Sequence, residues 1–400
     1  MARAPHSASP AQPLAAGVVG SLTGFASSFA LLIAGLQAVG ATPEEAASGL
    51  LVLSVFQGLL SIGLSLRWRM PISVAWSTPG AALMVAAKGL TDDFSAAVGA
   101  FLLCGLLLLV TGLWPWLSRA MTRIPRSIAS AMLAGILFPI CLAPVLASVG
   151  ETWWQGLAIA LVWLVMAKLA PRWAVPAAVV ALAVVVALST GGNPLEGRSV
   201  APVLAFVAPS LNVPVLVSLG IPLYVVTMAG QFVPGFAVLS TFGYENPPAR
   251  AIFAGTGAGT IIGAFFGAYT LNLSALTAAM MAGPDAHLDR AKRYLATVAS
   301  GAFYALLGLG AGAATALVSA TPPILITAIA GLALLGALAT AVTSALDEPD
   351  TRPVAVITFL VVASGVTIAG IGSALWGLVV GAIAMLWLRP WRRRAAEADG

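Results

Sequence analysis

Residues 71–83 read PISVAWSTPGAAL, and this stretch changes character at its centre. Up to Trp76 it carries β-branched and aromatic residues, which favour extended backbone. Ser77 then offers a hydroxyl N-cap, and Pro79 is a residue type favoured in the first turn of a helix. A helix from Pro79 to Gly89 is only ~16 Å long at 1.5 Å per residue. The stretch therefore predicts a break in the span followed by a short helix.

A second stretch repeats this arrangement in the other half of the chain. Residues 269–274 read YTLNLS and precede another short apolar segment. Ser77 and Ser274 are separated by 274 − 77 = 197 residues, and Pro125 and Pro322 by 322 − 125 = 197 residues. The predicted ends of the apolar runs keep this offset without gaps. Two related halves are therefore predicted, and the alternative is a coincidence of hydropathy.

The composition places both stretches in a membrane protein. Of 400 residues, 60% are hydrophobic and 8% are charged, whereas a soluble domain carries roughly 25% charged residues. This excludes a soluble globular protein, a disordered protein and a nucleic-acid-binding protein. Cys104 and Cys141 lie inside apolar runs, so no disulfide framework is implied. The apolar runs are ~17–26 residues long, which is the length with which a helix crosses a bilayer.

The predicted fold class is an all-α integral membrane protein with about fourteen transmembrane spans. The spans are predicted near 14–39, 44–65, 71–89, 94–114, 125–147, 151–169, 173–189, 212–232, 249–268, 269–283, 294–318, 322–345, 353–371 and 372–388. Seven spans per half is an odd number, so the second half enters the membrane from the opposite side. This makes a 7+7 inverted repeat, an arrangement common in secondary transporters. Spans 3 and 10 are predicted to be broken, each with a half-helix that begins near the midplane.

The few charged residues distinguish the two sides of the membrane. Of the 19 Lys and Arg, all but Lys88 and Arg198 fall in tails, in connections or at span ends on one side. The positive-inside rule makes that side cytoplasmic and puts both termini there. All 14 Asp and Glu lie in tails, in connections or at the first residues of predicted spans, and none lies deep in a span. The two histidines, His6 and His287, lie outside the spans. A cation pump and a metal transporter are disfavoured, because they need acids or metal ligands within the membrane.

The two half-helices of an inverted pair approach from opposite faces with their N-termini toward each other. Each N-terminus carries roughly half a positive charge and free N–H donors. The gap between them is predicted to bind an anion without any basic residue. The alternative is a pair of kinked helices with buried hydroxyls. The predicted substrate-binding residues are Phe29, Ser73, Trp76, Ser77, Thr78, Pro79, Gly80, Gln231, Asn272 and Ser274.

Several of these residues have two interpretations. Trp76 either stacks on an aromatic substrate ring, worth ~0.5–1.5 kcal/mol beyond area burial, or packs in the core. Gln231 is an uncharged amide in apolar surroundings, so it needs a hydrogen-bond partner, which is either the site or a neighbouring helix. Asn272 is favoured for the site because the predicted break places it beside the half-helix. Phe29 lies next to serines that more often serve close packing of membrane helices.

Four motifs extend the pattern over most of the chain: PISVAWSTPGAAL (71–83), GQFVPGFAVL (230–239), GAYTLNLSALTAA (267–279) and AHLDRAKRY (286–294). Together they resemble the bacterial benzoate/proton symporter family of the BenE type. The resemblance implies a fold like that of nucleobase/ascorbate transporters and sulfate-permease-type anion carriers. In that fold the substrate lies between the broken spans 3 and 10, and a core domain moves like an elevator against a gate domain.

The resemblance also implies a domain organisation. The core domain would comprise residues 14–120 and 206–318, the gate domain residues 121–205 and 319–390, and the cytoplasmic tails residues 1–13 and 391–400. Nucleobase carriers of this fold typically place acids on spans 8 and 10. This sequence has Gln231 and Asn272 in those regions. A carboxylate substrate is therefore expected rather than uracil or a purine.

The predicted function is secondary active import of benzoate or a related aromatic carboxylate, with a proton, across the bacterial inner membrane. The alternative is a carrier or channel for a small inorganic anion that uses the same dipole site. A membrane-embedded enzyme is disfavoured, because no acid, base or nucleophile is predicted at depth. No metal and no cofactor are expected, and the partners are the substrate, the proton and the lipid bilayer, not nucleic acid.

The proton route and the oligomeric state have only partial support in the sequence. His287 is interpreted as a loop residue, so the proton is expected to travel on the substrate or through water. Dimers are common in the resembling folds, which makes a homodimer one expected assembly.

Overall fold

The computed structural model describes residues 12–114, 125–190, 200–368 and 372–398. The predicted boundary between residues 120 and 121, the basic residues Arg119, Arg123 and Arg198, and most of the predicted tail 1–13 lie outside these ranges. Residues 391–398 of the predicted tail 391–400 form the end of a helix that continues to Ala398.

Helices make up most of the described chain. Its first half contains α1 (Gln12–Ala38), α2 (Pro43–Trp68), β1 (Val74–Trp76), α3 (Thr78–Ala86), α4 (Phe94–Leu113), α5 (Arg126–Ala147), α6 (Trp153–Leu169) and α7 (Ala174–Thr190). Its second half contains α8 (Val213–Thr241), α9 (Ala249–Ala264), β2 (Leu271–Leu273), α10 (Ala275–Ala282), α11 (Tyr294–Gly308), α12 (Ala311–Ser319), α13 (Pro323–Ala345), α14 (Arg352–Ala363) and α15 (Ser373–Ala398).

Each broken segment contains the predicted half-helix, preceded by a short strand, and the two strands pair. β1 and β2 form an antiparallel two-stranded ribbon, so the expectation of an all-α protein is wrong at this point. The physical reason is that an isolated extended segment inside the membrane would leave its backbone groups without partners. The half-helices α3 and α10 begin directly after the ribbon and are nine and eight residues long.

Helix α8 extends beyond its predicted end near residue 232. It contains two π-helical turns, Leu216–Gly220 and Met228–Phe232, which precede Pro222 and Pro234. A proline ring clashes with the carbonyl four residues earlier and removes an N–H donor. Widening the helix at these turns accommodates both prolines, so the helix continues to Thr241 instead of ending.

Six of the described helices are long and apolar enough to cross a membrane. A seventh span results if α11 and α12, which meet at an angle of 57°, are counted together. The bend lies at Gly308 and Gly310, which have no side chain to stiffen the junction. Helices α6, α7 and α15 add shorter apolar segments. The chain is therefore a multi-pass membrane protein, and the count of fourteen spans stays a prediction.

Helices α2, α4, α9 and α11 pack around the ribbon through small residues. At the crossing of α2 and α11, a Cβ atom on Gly58 would collide with the carbonyl oxygen of Gly301. At the crossing of α4 and α9, a Cβ atom on Gly257 would lie 2.5 Å from the backbone nitrogen of Leu109. Small residues let membrane helices approach closely enough for extensive van der Waals contact. A second group of helices packs around α5, which contacts α13 and α14.

We expect Gly58→Ala to destabilise the protein, because the new methyl group would collide with the backbone of α11. Overpacking of this kind costs roughly 1–3 kcal/mol. The measurement is the apparent melting temperature of the purified protein in detergent. Gly63→Ala is the matched control, since Gly63 lies on the same helix with open space around it. Equal melting temperatures for the two variants would contradict the close crossing.

Candidate functional site

The site is built on the ribbon that joins the two half-helices. Val74 pairs with Leu273, and Trp76 pairs with Leu271. One step further at each end, the Ser77 N–H donates to the Thr270 carbonyl at 3.3 Å, and the Ser274 N–H donates to the Ser73 carbonyl at 2.9 Å. The pairing continues up to the first residue before each half-helix. The ribbon therefore determines where α3 and α10 begin relative to each other.

The outer edge of β1 is paired by side chains of α2. Their oxygens accept hydrogen bonds from successive outward-facing N–H groups: Gln57 from Trp76 at 3.0 Å, Ser61 from Val74 at 2.9 Å, and Ser65 from Ile72 at 3.2 Å. Residues four apart on α2 are separated by ~6 Å along the helix axis, which is close to the length of two strand residues. The spacing of these side chains on α2 therefore matches the spacing of the N–H groups along the strand. On the other side, Thr260 of α9 accepts from the Leu271 N–H at 3.0 Å. The extended segments thus have partners on both edges.

Both predicted N-caps are present. The Ser77 hydroxyl accepts from the Gly80 N–H at 3.1 Å, and the Ser274 hydroxyl accepts from the Thr277 N–H at 3.3 Å. Thr227 of α8 donates to the Ser77 hydroxyl at 2.8 Å. Each cap occupies one of the N–H groups that a helix start leaves unpaired.

The second π turn of α8 contacts both half-helix starts. The Gln231 side-chain oxygen accepts from the Ala275 N–H, the first of α10, at 3.3 Å. A Cβ atom on Gly230 would lie 3.1 Å from the Pro79 ring in the first turn of α3. The hydrogen-bond partner of Gln231 is therefore a neighbouring helix, and the contact lies at the start of α10. Single π turns occur frequently at functional sites.

Asn272 has the most informative environment of the predicted residues. Its side chain is fully buried, and neither its amide oxygen nor its amide nitrogen has a hydrogen-bond partner. It pairs with Ala75, so the side chains of these two residues share one face of the ribbon. Ser77 comes two residues after Ala75, and Ser274 comes two residues after Asn272. Because the strands are antiparallel, these two serines lie at opposite ends of the ribbon. The unpartnered amide is therefore midway between the two helix starts.

Trp76 lies on the opposite face of the ribbon. Its indole N–H donates to the Ser28 hydroxyl at 2.9 Å, and its ring contacts Phe25 and Tyr304 edge-on at 5.8 and 5.9 Å. Phe29 stacks on Phe25 at 5.5 Å, and both Trp76 and Phe29 are buried. These rings form an aromatic cluster between α1 and α11. The structure does not bring this cluster to the same face as the unpartnered amide.

The cations near the half-helices lie at their far ends. Arg293 donates to the Ala282 carbonyl, the last of α10, at 2.7 Å, and Lys88 follows the end of α3. Cations at C-termini compensate the negative ends of the helix dipoles, while the N-termini face the centre. Among the described residues, no group of three or more His, Cys, Asp or Glu could hold a metal ion. The described side chains at the two helix starts are hydroxyls and amides that carry no formal charge.

Some supporting residues were not among those predicted from the sequence. They are Gln57, Ser61, Ser65, Thr227, Thr260 and Thr277. The first three recur at every fourth position of an apolar span, and this period is a signal that could have identified a polar helix face. Thr277 accepts from the Ser73 hydroxyl at 2.7 Å, a contact between residues 204 positions apart that no local pattern indicates.

Comparison with known proteins agrees with this architecture. The family model described as "Benzoate membrane transport protein" (BenE) matches residues 7–386. The inner membrane protein YdcO of Escherichia coli is 37% identical over 376 residues, covering 94% of this chain and 95% of that protein. The benzoate membrane transport protein of Acinetobacter baylyi is 33% identical over 379 residues, covering 94% and 95% of the two chains.

Solved structures with low sequence identity share the fold. The transmembrane domain of a cyanobacterial bicarbonate transporter, BicA, aligns with a TM-score of 0.58 at 15% identity, covering 94% of this chain and 99% of that domain. The SLC26A9 structure aligns with a TM-score of 0.63 at 13% identity, covering 94% and 65% of the two chains. From the family match over most of its length and from its two relatives, the chain belongs to the BenE family of membrane transporters.

Proposed function

We propose that the protein imports benzoate or a related aromatic carboxylate together with a proton across the bacterial inner membrane. The observation that carries this proposal is the buried, unpartnered Asn272 amide midway between the two half-helix starts. An unmade hydrogen bond of a buried amide costs about 1–3 kcal/mol. A carboxylate oxygen would accept from the amide nitrogen and lie between the positive helix ends. The name of the Acinetobacter relative supports an aromatic carboxylate as the anion.

The remaining predicted residues surround this position. Ser73, Ser77, Thr78 and Ser274 supply hydroxyl groups, while Pro79 and Gly80 form the first turn of α3. Gln231 positions the start of α10. In this proposal the site combines backbone dipoles with neutral donors. It therefore attracts an anion without presenting a formal charge that would hold it too tightly for release.

The proposal includes Trp76 and Phe29 as contacts of the substrate ring. Support comes from their aromatic cluster, in which Trp76 directly precedes the Ser77 cap in the chain. Contact with the ring requires the indole to leave Ser28, whose hydroxyl it binds here. Because the Asn272 amide lies on the opposite face of the ribbon, the proposed ring contact also requires the Trp76 side chain to turn toward the ribbon edge.

Proton coupling follows from the charge of the substrate. Benzoate is ionised at neutral pH, so electroneutral uptake needs one co-transported proton. None of the predicted site residues is ionisable in the physiological range. His287 lies in the loop after α10, where its Nδ1 accepts from the Asp289 N–H at 2.9 Å. The proposal therefore routes the proton on the substrate or through water.

We further propose a 7+7 inverted repeat that works by an elevator movement, with both termini cytoplasmic. Element starts support the repeat: β1 and β2 begin at residues 74 and 271, α3 and α10 at 78 and 275, and α5 and α13 at 126 and 323. The offset is 197 in each case. Helix α5 packs more extensively with α13 and α14 than with α3 of the predicted core, which supports a separate gate domain.

Labelled benzoate uptake into proteoliposomes tests the transport function. We expect accumulation above that of empty vesicles, increased several-fold by an outside-acid pH gradient, because proton entry would drive benzoate entry. Sulfate and chloride fluxes are measured in the same vesicles. Inorganic anion flux without benzoate uptake would favour the alternative of an inorganic anion carrier or channel and would overturn the proposal.

Asn272→Asp tests the proposed binding position. We expect initial uptake rates to fall at least about tenfold, because a buried carboxylate would occupy the positive helix ends and repel the substrate; hydrogen bonds to charged groups are worth ~1.5–3 kcal/mol. Rates are normalised to reconstituted protein. Asn212→Asp is the matched control, since Asn212 caps α8 and Asp caps equally well. A normal rate in Asn272→Asp would exclude this position.

Trp76→Ala and Trp76→Phe test the aromatic cluster. We expect Trp76→Ala to raise the benzoate concentration for half-maximal uptake, because a ring contact worth ~0.5–1.5 kcal/mol is lost. Trp76→Phe keeps a ring and should retain most of the affinity. Thermal unfolding in detergent monitors folding of both variants. Unchanged benzoate uptake in a well-folded Trp76→Ala protein would show that the ring does not contact the substrate.

A further inference from the structure

A cavity of about 330 Å³ lies at the C-terminal end of α3. Its walls come from both predicted domains: Leu83 and Lys88 at the end of α3 and Ser218 in the first π turn of α8 belong to the predicted core, and Ile136 of α5 and Ser364 at the end of α14 to the predicted gate. Small-molecule sites in proteins span roughly 300–1,000 Å³. The cavity is thus large enough for a small organic anion, and it lies between α3 and α8 on one side and α5 and α14 on the other.

The charge in this cavity has one sign. Lys88 is its only charged lining residue among those that the structure describes, and no carboxylate lines it. The nearby Asp93 is engaged as the N-cap of α4, where its carboxylate accepts from the Ser95 N–H and hydroxyl at 3.0 and 2.6 Å. Lys88 also follows the last turn of α3, whose carbonyl dipoles end in partial negative charge. Without the ammonium group, that negative end would face the cavity.

The cavity and the candidate site are close along two helices. On α3, Leu83 of the cavity wall is four residues from Pro79 at the site, a rise of ~6 Å. On α5, Ile136 of the cavity wall is three residues from Leu133, and a Cβ atom on Gly230 would lie 3.6 Å from the Leu133 side chain. About one helical turn therefore separates the cavity from the half-helix start on each helix.

We propose that this cavity is an anion-selective entrance to the site and that Lys88 attracts the carboxylate into it. The identity of the anion rests on the proposed function, whereas the charge selectivity of the cavity does not. Low-dielectric walls concentrate the field of one cation and raise the local concentration of anions. Because Lys88 is exposed, the effect is screened over ~10 Å at 0.1 M salt. Lys88 promotes capture of the anion from solution and does not contact the anion bound at the central site.

The first test is the kinetics of benzoate uptake by Lys88→Gln. At low ionic strength we expect the concentration for half-maximal uptake to rise about 3- to 10-fold with little change in maximal rate, and the difference to shrink at high salt. Lys88→Arg keeps the charge and should behave like the parent protein. Lys292→Gln is the matched charge control, since Lys292 is exposed beyond α10 and away from this cavity. An unchanged half-maximal concentration, or an equal rise in Lys292→Gln, would overturn the proposal.

The second test measures the charge selectivity of the cavity without any substrate. Ser364→Cys places a thiol in the cavity wall, and its modification rates by sulfonate-bearing and trimethylammonium-bearing methanethiosulfonates are compared. The parent protein is the background control, because Cys104 and Cys141 are buried. We expect the anionic reagent to be favoured, and Lys88→Gln to reduce its preference several-fold.

The two tests separate the two proposals. A Lys88-dependent preference in a protein that does not take up benzoate would refute the proposed substrate and support the anion-selective cavity. Benzoate uptake with no effect of Lys88→Gln in either test would refute the role of Lys88 and leave the proposed function standing. A thiol at position 364 that neither reagent modifies would refute an open entrance.

Discussion

The centre of this structure is organised by one requirement: backbone N–H and C=O groups inside a membrane need partners within the protein. Two segments of the chain are extended where an unbroken helix would have paired its own backbone. They pair with each other along β1 and β2, with the Ser61 hydroxyl and its neighbours on α2, and with Thr260 on α9. The positions of the flanking helices follow from this pairing, because each of them carries a side chain that completes it.

The same pairing gives the site its electrostatic character. The ribbon holds the starts of α3 and α10 at its two ends, so two positive helix ends share one space with the Asn272 amide. Arg293 binds the far end of α10, and Lys88 follows the far end of α3. In the proposed function this space holds the substrate anion, and none of the predicted site residues carries a formal charge. Such a site can bind and release an anion without the desolvation penalty of a buried cation.

Local sequence patterns predict the two helix starts of the site better than they predict the residues that pack around them. The serine caps, the proline in the first turn of α3 and the offset of 197 predict both helix starts, because capping is a chemical property of a few adjacent residues. The π turns of α8 and the location of the Trp76 ring are not predicted in this way. The π turns depend on how a helix with internal prolines packs. The ring location depends on which side of the ribbon faces α1 and α11.

By itself, the sequence determined that this is a multi-pass membrane protein with two interrupted segments and no charge at depth. Composition and capping are sufficient for these conclusions, because they depend on residue types and short spacings. Only the tertiary structure decided that the interrupted segments pair as a ribbon, that Gln231 binds the start of α10, and that the Asn272 amide has no partner. These three features depend on which residues from distant parts of the chain come together. That in turn depends on how helices from both halves pack around one centre.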